Sequence, residues 1–178
     1  DWNIAIAPLG LYGTIALKKL EIARIENVVT QQIHNDDGSV DLKVTVALFA
    51  KGTGVAQLYF ELDDEWVRLD VGVNAGETSI THLFHVDKPK LWWPAGNGEQ
   101  TLYALSVETN FETITRQIGL RTVELITDED EAGSRFALKV NGREIFARGA
   151  NWIPADALFS RSKPELTEDL LQSAAAAN

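Results

Sequence analysis

Residues 148–156 hold Arg148, Gly149, Asn151, Trp152, Pro154 and Asp156 directly after the apolar run Ile145-Phe146-Ala147. An amide, an indole and a carboxylate at the end of a buried strand are the groups that bind a polar ligand. In α/β barrels the carboxyl ends of strands are where chemistry sits. The same residues also fit a polar turn that caps the strand, with Trp152 in the core. One carboxylate, Asp156, cannot supply the two-carboxylate pair that glycoside hydrolysis requires.

The other candidate groups divide in the same way. Trp92-Trp93-Pro94, within "KLWWPAGNGEQTLY", reads as a sugar-stacking platform or as two indoles anchoring a loop on a neighbouring element. His34, His82 and His85 include one i, i+3 pair, and on a strand that spacing sends the rings to opposite faces, which argues against a shared metal. Asp128-Glu129-Asp130-Glu131 lacks the register of a calcium loop and reads as a solvated linker. No Ser/His/Asp arrangement, phosphate-cradling loop or HExxH is present.

The elements that must position these groups are mainly strands. In "VDLKVTVALFA", Leu42, Val44, Val46 and Leu48 alternate with polar or small residues, the period of a half-buried strand. "VAQLYFEL" places Ala56, Leu58, Phe60 and Leu62 on one face, and "TLYALSVETNF" does the same with Leu105, Val107 and Thr109. Turn signals separate them at Asn35–Gly38, Lys51–Gly54, Asn74–Gly76 and Ala95–Gly98. This pattern predicts an immunoglobulin-like antiparallel β-sandwich over residues 20–123.

On the flanks, "IAPLGLYGTIALKKLEI" reads as a strand whose partners lie outside this chain. Asn141-Gly142 between alternating runs predicts a tight hairpin. Ser162 and Glu165 have capping-box spacing, with Pro164 in the first turn and Leu166, Leu170, Leu171 and Ala174 on one stripe of a helix.

Bulk properties exclude several classes. The 178 residues carry a net charge of −10, which disfavours nucleic acid and anionic membranes as partners. With no cysteine, disulfides, thiolate metal sites and cysteine nucleophiles are excluded. No apolar run reaches membrane-spanning length. The chain opens at Asp1 and contains no methionine, consistent with a piece of a longer polypeptide.

Taken together, "DWNIAIAPLGLYG", "LWWPAGNGEQTLY", "IGLRTVEL" and "FALKVNGREIFARGANWIPAD" resemble the β-mannosidases of glycoside hydrolase family 2, in order and in spacing, over essentially the whole chain. The resemblance implies a last strand of a jelly-roll-like sugar-binding domain at 1–19, an immunoglobulin-like sandwich at 20–123, and a linker with the start of a (β/α)8 barrel at 124–178. "IFARGANW" would be the first barrel strand. It further implies two catalytic glutamates beyond Asn178, about 5 Å apart in a retaining mechanism, so no catalytic residue is expected here.

Substrate contact would come from Asp1 and Trp2 of the first domain and from Asn151, Trp152 and Asp156 at the barrel mouth, with Arg148 pairing a buried barrel carboxylate. No cofactor or metal is expected, and the parent's partner would be a β-mannoside oligosaccharide or glycan end. The parent's compartment stays open. Residues 130–178 are expected to detach from the sandwich or to pair with another copy through exposed edges. A free-standing module binding carbohydrate or protein is the rival reading.

Overall fold

The computed structural model describes residues 9–11, 13–17, 20–131, 133–158 and 161–177. The chain divides into two compact units, Lys19–Ala147 and a second formed by Asp1–Lys18 with Arg148–Asn178.

The larger unit is built of antiparallel strands. Its first sheet has the order β1-β2-β5 (Ala23–His34, Val40–Ala50, Gly76–Val86). The second has the order β4-β3-β6-β7 (Glu65–Val73, Gly54–Leu62, Tyr103–Glu108, Thr113–Ile118). This is close to the strand order of immunoglobulin-type sandwiches, with β4 paired in the larger sheet.

Period-two burial drives the packing. Leu42, Val44, Val46 and Leu48 of β2 are fully buried, as are Leu58 and Phe60 of β3, and Leu105 and Val107 of β6 are nearly so; all join one core cluster with Phe84. Removing such side chains from water at about 1.5–3 kcal/mol each is the main favourable term holding the two sheets together. The turns fall where the sequence places them: Gly38, Gly76 and Gly96 each take a positive φ, which a side chain would strain. An unforeseen turn residue is Asp63, at φ 50°, whose carboxylate accepts the Ala104 N–H at 2.7 Å and ties the β3–β4 turn to β6.

A third sheet, β12-β11-β8 (Arg143–Ile145, Ala137–Val140, Val123–Ile126), continues from the sandwich. Asn141 (φ 51°) and Gly142 (φ 75°) form the expected tight turn between β11 and β12. Between β8 and β11, the acidic stretch forms a short ladder, β9 with β10 (Glu129–Asp130, Gly133–Ser134). Arg135 bridges Asp128 at 3.4 Å and Glu144 at 2.8 Å, holding that ladder to β12.

Within the region 130–178 that was expected to detach or to pair with another copy, the hairpin as far as Ala147 is bonded to the sandwich, while Arg148–Asn178 falls in the smaller unit. The hairpin's side-chain and backbone links run through the Trp92-Trp93 loop. Trp92 N–H donates to Leu120 O at 2.9 Å, and the Arg121 guanidinium lies over the Trp92 ring at 4.7 Å. Gln32 of β1 holds the same segment, donating to Gly119 O at 3.1 Å and accepting from Arg121 N–H at 2.8 Å. Asn141 then closes the link: its side-chain oxygen accepts Thr122 N–H at 3.0 Å, and its amide donates to Trp92 O at 3.1 Å. Arg143 lies over Trp93 at 4.3 Å and donates to Asn97 O. Glycine is required at the centre of this joint, because a Cβ on Gly119 would sit 2.8 Å from Trp92 Cγ.

Two expected strands do not form among the described residues, and the first, at 6–22, lies partly outside them. Residues 9–11 and 13–17 carry no strand, with Leu9, Leu11, Ile15 and Leu17 almost wholly exposed. Residues 146–154 are likewise irregular after β12 ends at Ile145, so "IFARGANW" is not a strand here. Strand geometry is held by ladder partners, and no described strand pairs with either stretch. The helix forms as α1, Pro164–Ala176, but its N-cap is Lys163, which makes no side-chain capping bond. Pro164 prefers the first helical position and holds the preceding residue extended, which leaves Ser162 one residue too early to cap. The Leu166, Leu170 and Leu171 stripe is exposed.

The histidines of β5 point to opposite faces, as their spacing requires. His82 lies between Phe60 and Phe84, with ring centroids 5.5 and 4.6 Å away, and its Nε2 has no hydrogen-bond partner. Burial pushes its pKa down from 6.5, with Glu65 acting weakly the other way. On the outer face, the hydrogen bond of His85 to Asp41 at 2.6 Å raises the His85 pKa, and burial opposes this.

Two predictions follow from this architecture. Asn141→Gly keeps the left-handed turn but deletes both side-chain bonds of the joint, and should cost about 1–3 kcal/mol. Denaturant midpoints check this, and an unchanged midpoint would show that the joint contributes nothing. Unfolded His82 binds a proton below about pH 6.5 while the folded ring resists it, so His82 makes stability fall as pH drops through that value. His85 works in the opposite sense: its contribution is present below the unfolded pKa and is lost as pH rises through its raised folded value. His82→Leu should therefore lessen the loss of stability as pH falls below about 6.5, and an unaltered slope there would contradict the assignment.

Candidate functional site

Of the residues expected to touch substrate, Asp1 and Trp2 lie outside the described residues. Asn151, Trp152 and Asp156 all fall in the smaller unit, on the irregular segment between Arg148 and α1. The local sequence explains that form. Gly149 and Pro154 interrupt any ladder, and Pro154 biases Ile153 towards extended backbone.

Asp156 has a definite local role. Its Oδ1 accepts the Leu158 N–H at 2.8 Å, and its Oδ2 lies 3.3 Å from Arg161 Nε. Leu158 O in turn accepts Arg161 N–H at 2.9 Å. This is an aspartate turn, in which a short side chain takes the place of a backbone acceptor. One carboxylate oxygen is thus engaged by backbone and the other by a guanidinium, leaving less of Asp156 for a ligand than the sequence implied.

Trp152 is half exposed at 52%, so it is not a core residue. Asn151 is exposed, and its side chain makes no hydrogen bond among the described residues. Together they present an amide and an indole to solvent from adjacent positions, a pairing suited to hydroxyl recognition and ring stacking. Arg148 is exposed and forms no ion pair among the described residues. No group of three or more His, Cys, Asp or Glu with metal-binding geometry occurs among the described residues.

The Trp92-Trp93 pair has a different place. Each indole carries an arginine on one face, and the loop backbone is bonded on both sides, so the geometry gives these rings an internal role. The sequence offered two signals for it that are recognisable only in hindsight. Gly98 and Gly119 are required for close approach, since a Cβ on either would come within 2.8 Å of a Trp side chain. A second feature, Trp66 on the outer face of β4, was not singled out at all, although alternation in "EWVRLDVGV" sets it opposite the apolar Val67, Leu69 and Val71.

Comparison with known proteins adds the wider context. The family model described as glycosyl hydrolases family 2 matches residues 23–121. β-Mannosidase B of Emericella nidulans is 30% identical over 175 residues, which cover 93% of this chain and 20% of that protein. β-Mannosidase B of Aspergillus fumigatus is 32% identical over 168 residues, again covering 20% of its length. The chain therefore spans about one fifth of the curated relatives it matches. Among solved structures, Amycolatopsis orientalis exo-chitosanase CsxA superposes with a TM-score of 0.69 at 22% identity, over 85% of this chain and 18% of that one; a likeness at that identity speaks to the fold. With the family match extending over more than half of the residues, and its bounds enclosing both sheets of the sandwich, the chain belongs to glycosyl hydrolase family 2.

Proposed function

We propose that this chain is a non-catalytic middle portion of an exo-acting, retaining β-mannosidase whose whole form removes terminal β-linked mannose from oligosaccharides or glycan ends. The observation that carries the reading is the extent of the likeness to β-mannosidase B: 93% of this chain aligns within one fifth of that enzyme. A glycosidase of this kind needs a pair of carboxyl groups flanking the scissile bond. On this reading both lie elsewhere in the parent.

The chain's own contribution is then architectural. Its sandwich and hairpin act as one bonded block. Asp1, Trp2, Asn151 and Trp152 supply part of the wall around the terminal mannose, with Asp156 holding the turn beside it. Leu125, Leu138 and Ile145 share one face of the third sheet, and Leu125 is half exposed. That apolar face is the kind of surface a neighbouring part of the parent would cover.

Two measurements test this. The 178-residue chain should release no chromophore from a chromogenic β-mannoside, and turnover by pure chain would refute the assignment. In the parent enzyme, Asn151→Ala and Trp152→Ala should each lower kcat/KM for a β-mannoside by roughly 10–100-fold, the size of one lost strong hydrogen bond or stacking contact. Wild-type kinetics in both variants would remove these residues from the sugar site.

A further inference from the structure

The outer face of the four-stranded sheet carries a feature that neither the core nor the joint uses. A depression of about 240 Å³ is lined by Tyr59, Phe60, Glu61, Trp66 and Glu108. Register explains the grouping. Trp66 of β4 stands directly opposite Glu61 of β3, while Tyr59 stands opposite Arg68 on one side and Glu108 on the other. Tyr59 and Glu61 are two residues apart, so all five side chains except that of Phe60 and including Arg68 share the solvent face.

The chemistry of this face is selective. Trp66 is 68% exposed, an apolar ring left in water on a strand whose other outward neighbours, Arg68 and Asp70, are charged. Glu61 and Glu108 have no ion-pair or side-chain hydrogen-bond partner among the described residues. Two open carboxylates beside aromatic rings repel anions and accept hydrogen bonds from hydroxyl groups. A cation cage would need rings on several sides, but the Tyr59 ring already carries the Arg68 guanidinium at 5.9 Å, and Asp70 holds that guanidinium at 3.1 Å. What remains free is one flat indole with hydroxyl acceptors at its edge. The volume is below the roughly 300–1,000 Å³ of pockets for larger ligands, which suits a single ring.

We propose that Trp66, Glu61 and Glu108 form a surface site for a neutral pyranose ring of an oligosaccharide, with the ring's C–H face on the indole and its hydroxyls donating to the two carboxylates. Nothing in this site rests on the mannosidase reading.

Titration of the 178-residue chain with mannohexaose and with cellohexaose, followed by calorimetry and tryptophan fluorescence, tests it, with trigalacturonate as the anionic probe and choline as the cationic one. The expected result is saturable binding of at least one neutral oligosaccharide. It should weaken about tenfold or more in Trp66→Ala and weaken in the Glu61→Gln, Glu108→Gln double variant. Trp66 is exposed, so an unaltered denaturation midpoint in Trp66→Ala separates lost binding from lost folding; Trp66→Phe, which keeps a stacking face, should retain part of the affinity. No saturable binding of either neutral sugar, binding indifferent to Trp66→Ala, or preference for trigalacturonate or choline would each overturn the proposal.

Discussion

The structure depends on one joint, in which Asn141 spans Thr122 and Trp92 while Arg121 and Arg143 lie on the two adjacent indoles. A sandwich of this type can stand on its own core. The short β8–β11–β12 sheet cannot, because three strands of three or four residues bury little: Val140 is its only buried apolar member among the described residues. What fixes it in place is a polar and cation–π network reaching back through Gln32 into β1. Such networks act through fully satisfied geometry rather than through area, which explains why Gly98 and Gly119 leave room for the Trp rings at closer range than any side chain would permit.

This arrangement gives the chain a gradient of burial. Strands β2, β3 and β6 contribute side chains with almost no exposure, whereas α1 buries none and residues 9–17 expose every large apolar side chain that is described. The apolar stripe of α1 and the exposed Phe136 and Phe146 are of the same kind.

Much of the sandwich was legible because period-two alternation is a local signal: Leu42 to Leu48, Ala56 to Leu62 and Leu105 to Thr109 all turned out buried as the pattern required. Turn positions were legible for the same reason, since Gly38, Gly76, Gly96 and Gly142 need backbone angles other residues avoid. The joint was not. Asn141 was recognisable as a turn residue, but its side-chain partners lie 19 and 49 residues away, and no local pattern encodes them. The strand expected at 145–152 had the right composition, but beyond Ile145 it has no ladder partner among the described residues. The capping box failed by one position because Pro164 moved the helix start. Asn151 and Trp152, read from the sequence as pocket-wall residues, are exposed in this structure, whereas the role of Asp156 in its own turn depended on Leu158 and Arg161, whose significance only the folded segment reveals.

The account stands on the sandwich and the hairpin sheet behaving as one cooperative block. Native-state hydrogen exchange on the chain measures this directly, by comparing amides of Ala137–Val140 and Arg143–Ile145 with those of Gly54–Leu62. The account predicts that the ladder-bonded amides of the hairpin open only with the sandwich, showing the same opening free energy and the same denaturant dependence. Rapid exchange of the hairpin, with no denaturant dependence while the sandwich stays protected, would contradict it.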